Sequence, residues 1–149
     1  GYGYHLFDLA TGELVRSIDV SLGYHTEERI GPDRLTVLTL EGNKVCSSRS
    51  WELSTGAESG GSREGVVQNE TSAWEGQGAE RLWFFSASSS DPEQAQYRLC
   101  RWNCLTGEVE PFDVTVRGAI PVVLASGNGR VVFGYSYGGQ AGLAAAVTG

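Results

Sequence analysis

The chain has 149 residues, 40% of them hydrophobic, which suits one globular domain and excludes a disordered chain. Its formal net charge of −7 argues against a nucleic-acid backbone or an anionic membrane as the main partner. No apolar run approaches the roughly 18 residues of a membrane-spanning helix, and no basic stretch followed by an apolar one marks a secretory leader.

Twenty-one glycines and scattered aromatic residues predict a turn-rich, all-β chain. Glu13–Val20 (ELVRSIDV) alternates apolar and polar residues, as a half-buried edge strand does. A joining segment, 21–31, leads to a tight turn at Gly31-Pro-Asp-Arg34 and a strand over Leu35–Leu38. Residues 40–44 read as a hairpin loop and Val45–Leu53 as the return strand. The Gly/Ser-rich stretch 59–65 reads as a flexible connection, and 66–79 as a second joining segment. A strand over Leu82–Phe85, a long loop over 86–95 and a strand over Gln96–Asn103 follow. Glu108–Val116 alternates again, and Pro111 suits a sheet edge. A third joining segment, 117–128, precedes Val131–Phe133 and a hairpin loop at 136–140. Gln140–Ala146 takes the place of the next strand, although its alanines favour a helix.

These elements repeat. FDLATGEL at 7–14 returns as WELSTGAE at 51–58 and WNCLTGEV at 102–109, with AAAVTG a weaker fourth copy. The shared glycine stands at 12, 56, 107 and 149, separations of 44, 51 and 42 residues. A second signature keeps the same phase: GPDRLTVL, GAERLWFF and GNGRVVFG, with arginine at 34, 81 and 130. In each unit a G-x-x-R turn launches a strand, a variable loop leads to a second strand, and the Thr-Gly turn reverses the chain into an outer one. Glycine is expected to supply the backbone freedom of the G-x-x-R turn.

Four antiparallel strands every 42–51 residues is the blade period of a β-propeller. FDLATGEL, WELSTG and WNCLTGEV resemble the third-strand ends of WD-repeat propellers, and equally the D-x-x-T-G-E turns of quinoprotein-type blades. The usual Gly-His dipeptide of WD repeats is missing, and the WD pair is degenerate as Phe7-Asp8, Trp51-Glu52 and Trp102-Asn103. The resemblance implies a propeller segment of about three to three and a half four-stranded blades in one partial domain, 1–149. Its units run approximately 13–56, 57–107 and 108–149, with 1–12 the end of a preceding blade. Closed propellers have about four to eight blades. The chain is therefore expected to be an excerpt of a longer protein, its ring completed by missing chain or by oligomerisation.

Such a segment implies a non-catalytic scaffold whose loops bind a protein or a small ligand. Trp74, in TSAWEGQG, and Asp91 and Glu93, on the long loop, are the candidate contacts. Trp51, Trp74, Trp83 and Trp102 read as core between blades, with Trp74 having the best case among them for an exposed contact. The competing reading is a serine hydrolase: Gly134-Tyr-Ser136-Tyr-Gly138 fits the G-x-S-x-G nucleophile elbow, with Ser136 as nucleophile. A hydrolase triad runs Ser, Asp or Glu, then His, yet both histidines, His5 and His25, lie upstream. His25 beside Glu27 and Glu28 reads as a solvated loop rather than a metal site. Asp33 and Glu80 are expected to satisfy local backbone donors in turns. Asn69-Glu-Thr71 fits a glycosylation acceptor, relevant only in a secreted protein. No acidic-aromatic pocket for a quinone can be assembled, so no cofactor and no metal are expected. Cys100 and Cys104 lie about 13 Å apart if their segment is a strand, too far for one disulfide, and Cys46 leaves an odd count. All three read as buried thiols. The compartment stays open, with a soluble cytoplasmic chain the favoured expectation.

Overall fold

In the computed structural model, residues 2–20, 26–41, 44–59, 63–68, 72–89, 94–117, 122–125, 130–137 and 140–147 are described. Every regular element among them is a β-strand, so no helix there is long and apolar enough to cross a membrane. Strands β1 (Tyr2–Phe7) and β2 (Leu14–Val20) form the first sheet. The second holds β3 (Thr26–Ile30), β4 (Arg34–Glu41), β5 (Lys44–Glu52) and β6 (Arg63–Gln68). The third holds β7 (Ala73–Trp74), β8 (Arg81–Ala87), β9 (Gln96–Asn103) and β10 (Val109–Arg117). The fourth holds β11 (Val122–Ala125), β12 (Arg130–Tyr137) and β13 (Gln140–Val147). Strands adjacent in sequence are adjacent in each sheet and antiparallel throughout.

The Thr-Gly repeat is one turn built three times. The amide of Gly12, Gly56 or Gly107 donates to the carbonyl four residues earlier, on Asp8, Glu52 or Asn103. The amides of those three residues donate in turn to the carbonyls of Glu13, Ala57 and Glu108. Each glycine sits at φ between 73° and 78°, the left-handed region a side chain disfavours, which explains why glycine recurs there. The threonine recurs because Thr11, Thr55 and Thr106 accept from the amide two residues on. Asp8 and Asn103 accept from two amides inside their own turns, the usual role of these side chains. Glu52 is a methylene longer and instead accepts from the Thr55 hydroxyl.

The first three sheets stack face to face through shared apolar clusters. Strand alternation sends Leu35, Val37 and Trp51 toward Ile18 and Val20 of the first sheet. Leu38 points the other way, into Leu82, Phe84, Cys100 and Trp102 of the third. Trp83, Phe85, Tyr97, Leu99 and Val116 form a cluster on the third sheet's far face. Strands β4 and β8 are therefore buried on both sides, which is why LTVL and LWFF read as continuous apolar or small runs. Trp51, Trp83 and Trp102 are core residues, as the sequence predicts.

Polar ties fix how each sheet sits on the next. Arg16 donates to the Ser54 carbonyl, and the Tyr4 hydroxyl donates to Glu28, joining the first and second sheets. Arg29 donates to the Gly76 and Gly78 carbonyls, and Arg34 pairs with Glu80 at 3.5 Å, joining the second and third. Buried Thr36 and Ser48 donate across the same gap to the Ala79 and Cys104 carbonyls.

Four expectations change. The joining segments 21–31, 66–79 and 117–128 each carry a strand: β3, β7 and β11. The polar TEERI of β3 and the two-residue β7 show no alternation to read. The connection 59–65 ends in strand, since β6 begins at Arg63 and pairs with Ser48. Gly31 and Gly78 do not take positive φ; that conformation falls to Gly76. Gly31 instead lets the second sheet approach the third, since a Cβ there would lie 3.1 Å from the Ala79 nitrogen. Asp33 and Glu80 reach beyond their own turns, Asp33 to the amide and hydroxyl of Ser54 and Glu80 to Arg34.

Candidate functional site

Ser136 lies inside β12, opposite Ala141 of β13, in a hairpin whose strands pair from Arg130↔Val147 to Tyr137↔Gln140. A nucleophile elbow needs a sharp turn from strand into helix. Here residues 140–147 continue the sheet, and the ladder hydrogen bonds of an existing strand outweigh the helix preference of their alanines. Of the hairpin loop expected over 136–140, residues 136, 137 and 140 belong to strands, and 138–139 lie outside the described residues.

The binding candidates separate. Trp74 lies on β7 opposite Leu82, half-buried, and packs against the cluster between the second and third sheets. Asp91 and Glu93 lie outside the described residues, as does His25. Glu27 and Glu28 are on β3, and Glu28 is engaged by the Tyr4 hydroxyl. Among the described residues no three His, Cys, Asp or Glu side chains group as metal ligands.

The residue after Trp74 anchors the most developed polar site. Glu75 follows β7, and its side chain is only 13% exposed. A carboxylate that buried needs partners. Trp83 Nε1–H donates to Glu75 Oε1 at 3.3 Å, and Arg81 Nη1 lies 3.3 Å from Oε2. Arg101 Nη1 lies 3.5 Å from Oε1, while its Nη2 donates to Glu110 Oε2 at 2.6 Å. Strand register explains the meeting: Trp83 pairs with Arg101 across β8 and β9, and Arg101 with Glu110 across β9 and β10. The Arg101 guanidinium also lies 5.3 Å from the Trp83 ring centre and 5.8 Å from that of Phe112. The two rings are themselves 5.0 Å apart. These contacts hold Arg101 in a single orientation, since a planar cation is favoured over aromatic faces.

Arg81, Arg101, Asn103, Glu108 and Glu110 line a shallow cleft beside this network, at the Thr-Gly end of the third sheet. Arg81 and Glu110 are half-exposed, so each can exchange its internal partner for a charged group of a ligand without unburying Glu75. The cleft sets two guanidinium groups beside two carboxylates, with Arg101 held from behind by the Trp83 and Phe112 rings, an arrangement suited to recognition of a ligand bearing both charges. Sequence reasoning stopped one residue short of it. The available signal was Glu75 close before the recurrent Arg81, in WEGQGAER.

The described cysteines lie elsewhere. Cys100 and Cys104 are buried free thiols between the second and third sheets. Burial raises the Cys100 pKa and pushes that of Cys104 up to about 12. The thiolate is the reactive form, so iodoacetamide at about pH 8 should leave Cys104 unmodified in the folded chain and alkylate it in urea. Peptide mass spectrometry reads the result, and rapid labelling of folded Cys104 would mean that the two sheets part.

Compared with protein-family models, curated proteins and solved structures, the chain has no match.

Proposed function

We propose that the chain is a non-catalytic recognition module, a segment of a WD-like or quinoprotein-like propeller whose loop-bearing ends bind a protein or a small ligand. The observation that carries this reading is the Glu75–Arg81–Arg101–Glu110 network, with Arg101 held against the Trp83 and Phe112 rings. Two further features support it. Two of the sheets are four-stranded antiparallel meanders, and the first three sheets stack through shared apolar clusters. The ladder around Ser136 lacks the strand-to-helix turn on which the hydrolase alternative depends.

An array of peptides of mixed charge tests the reading. Arg81→Gln and Glu110→Gln should each weaken the peptides that bind by about tenfold, about 1.4 kcal/mol. Both side chains are half-exposed, so the same changes should shift folding stability by less than about 1 kcal/mol. Binding indifferent to both substitutions would move the site away from this cleft. Fluorophosphonate labelling that disappears in Ser136→Ala would replace the scaffold reading with the hydrolase.

A further inference from the structure

We propose, building on the recognition reading, that the cleft beside Glu75 takes an extended peptide segment of a partner protein, one that carries a carboxylate and a cation separated by a single residue. The carboxylate meets Arg81, and the cation sits between Glu108 and Glu110. Comparison of the second and third sheets shows what sets this place apart. The amides of Gly31 and Glu75 donate to the carbonyls of Arg34 and Arg81, so Gly31 and Glu75 hold one repeat position. Register matches Thr36↔Ser50 with Trp83↔Arg101. The carbonyls of Ala57 and Glu108 accept from the amides of Glu52 and Asn103, which matches Ala57 with Glu108 and Ser59 with Glu110. The second sheet therefore has Gly, Thr, Ser, Ala and Ser where the third has Glu75, Trp83, Arg101, Glu108 and Glu110. Small residues let the third sheet sit down on the second. A Cβ on Gly31 would lie 3.1 Å from the Ala79 nitrogen, the Thr36 hydroxyl donates to the Ala79 carbonyl, and Glu80 of the same turn pairs with Arg34. On the third sheet large, mostly charged side chains fill the matching face, and the cleft opens there.

The charges on this face define the ligand. Arg34 is 17% exposed, with Glu80 beside it and Glu52 across the strand pair, whereas Arg81 is 49% exposed and lies across from neutral Asn103. Arg81 reaches Glu75 through Nη1 alone, so its remaining N–H groups are open to a carboxylate, as Arg34 is to Glu80. Asn103 Oδ1 accepts from the Leu105 and Thr106 amides, which leaves its NH2 group to donate beside Arg81. Glu108 lines the cleft, exposed and in no ion pair among the described residues. Glu110 stands two residues on, hence on the same face about 7 Å away. Glu75, Glu108 and Glu110 outnumber Arg81 and Arg101, so a cation between the two outer carboxylates balances the site. Strand β9 separates β8 from β10, which puts Arg81 and Glu110 about 10 Å apart, two strand spacings. The two charges of a free amino acid lie too close together to span that distance. Alternate residues of an extended chain share a face about 7 Å apart, and their side chains cover the rest.

Fluorescence anisotropy of short, capped, labelled alanine peptides carrying one glutamate and one lysine tests this on the 149-residue chain. With one alanine between the charged residues, in one order or the other, the peptide should bind about tenfold tighter than with the pair adjacent, where the side chains leave on opposite faces. Arg81→Gln should weaken that peptide about tenfold and leave its glutamate-to-glutamine version unaffected, because the two changes remove the same contact. Glu108→Lys should weaken it about tenfold or more and bind instead the peptide with two glutamates at the same spacing. Glu108 is exposed and Arg81 half-exposed, so both variants should keep the fold, and urea unfolding checks that they do. Affinity indifferent to spacing overturns the assignment, as does a Glu108→Lys chain that binds the original peptide undiminished. If mixed-charge peptides then still respond to Arg81→Gln and Glu110→Gln, the recognition reading stands and only this ligand falls. No binding of any peptide up to about 1 mM removes both.

Discussion

Trp102→Ala should destabilise the chain by about 3–5 kcal/mol, whereas Trp102→Phe should cost far less. Trp102 is fully buried and joins Leu38 of the second sheet to Leu82 and Phe84 of the third. Truncation to alanine leaves a void in the contact that holds the two sheets together. The indole also carries a liability, because its buried Nε1–H has no hydrogen-bond partner. An unmet donor costs about 1–3 kcal/mol, so removing it with phenylalanine offsets part of the lost packing. Trp83 reverses the balance: its Nε1–H donates to Glu75 and its ring receives the Arg101 guanidinium. Trp83→Phe should therefore be the more damaging phenylalanine substitution, although both tryptophans are fully buried. Urea unfolding of the four proteins measures the order. Equal losses for Trp102→Phe and Trp102→Ala would mean that the indole nitrogen is satisfied.

Why these tryptophans could be assigned to the core from sequence is a matter of phase. The Thr-Gly turn needs glycine at one position and rewards Asp or Asn four residues before it, so its signature survives divergence elsewhere. Once the turns are located, strand period two fixes which residues share a face. Strand β9 was legible to the residue, as Gln96–Asn103, because an aromatic alternation ends at such a turn. Strands β3 and β7 were not. Each takes its register from β4 or β8, and their own residues carry no pattern. Strand β13 was legible as a strand only through its place in the repeat, against the preference of its alanines.

The candidate site was less legible for a different reason. Glu75, Arg101 and Glu110 stand 26 and 9 residues apart, and the registers of β7 with β8, β8 with β9 and β9 with β10 bring them together. None of these registers is written in any short motif. The G-x-S-x-G match at Ser136 shows the converse: five residues fit a motif while the surrounding backbone follows the repeat. Local matches carry chemistry only where the required turn is present.

The second large effect tests the polar seam between the second and third sheets. Thr36→Val should destabilise the chain by about 1–3 kcal/mol, although it keeps the branched shape, because it replaces a bonded hydroxyl by a methyl group. The Thr36 hydroxyl is fully buried and lies 2.5 Å from the Ala79 carbonyl and 2.8 Å from Ser50 Oγ. Valine removes the donor to Ala79 while keeping the site dry, so the carbonyl is left facing methyl groups. Ser50→Ala should cost less, because the Thr36 hydroxyl keeps Ala79. Placed together, the two changes should fall short of additivity, since they share one hydrogen bond. Ser48→Ala, which removes an independent tie to the Cys104 carbonyl, should instead add to Thr36→Val in full. The seam covers Cys104, so loosening it should also speed alkylation of that thiol in step with the loss of stability. A Thr36→Val chain as stable as wild type, with Cys104 equally protected, would show that apolar packing alone sets the spacing of these sheets.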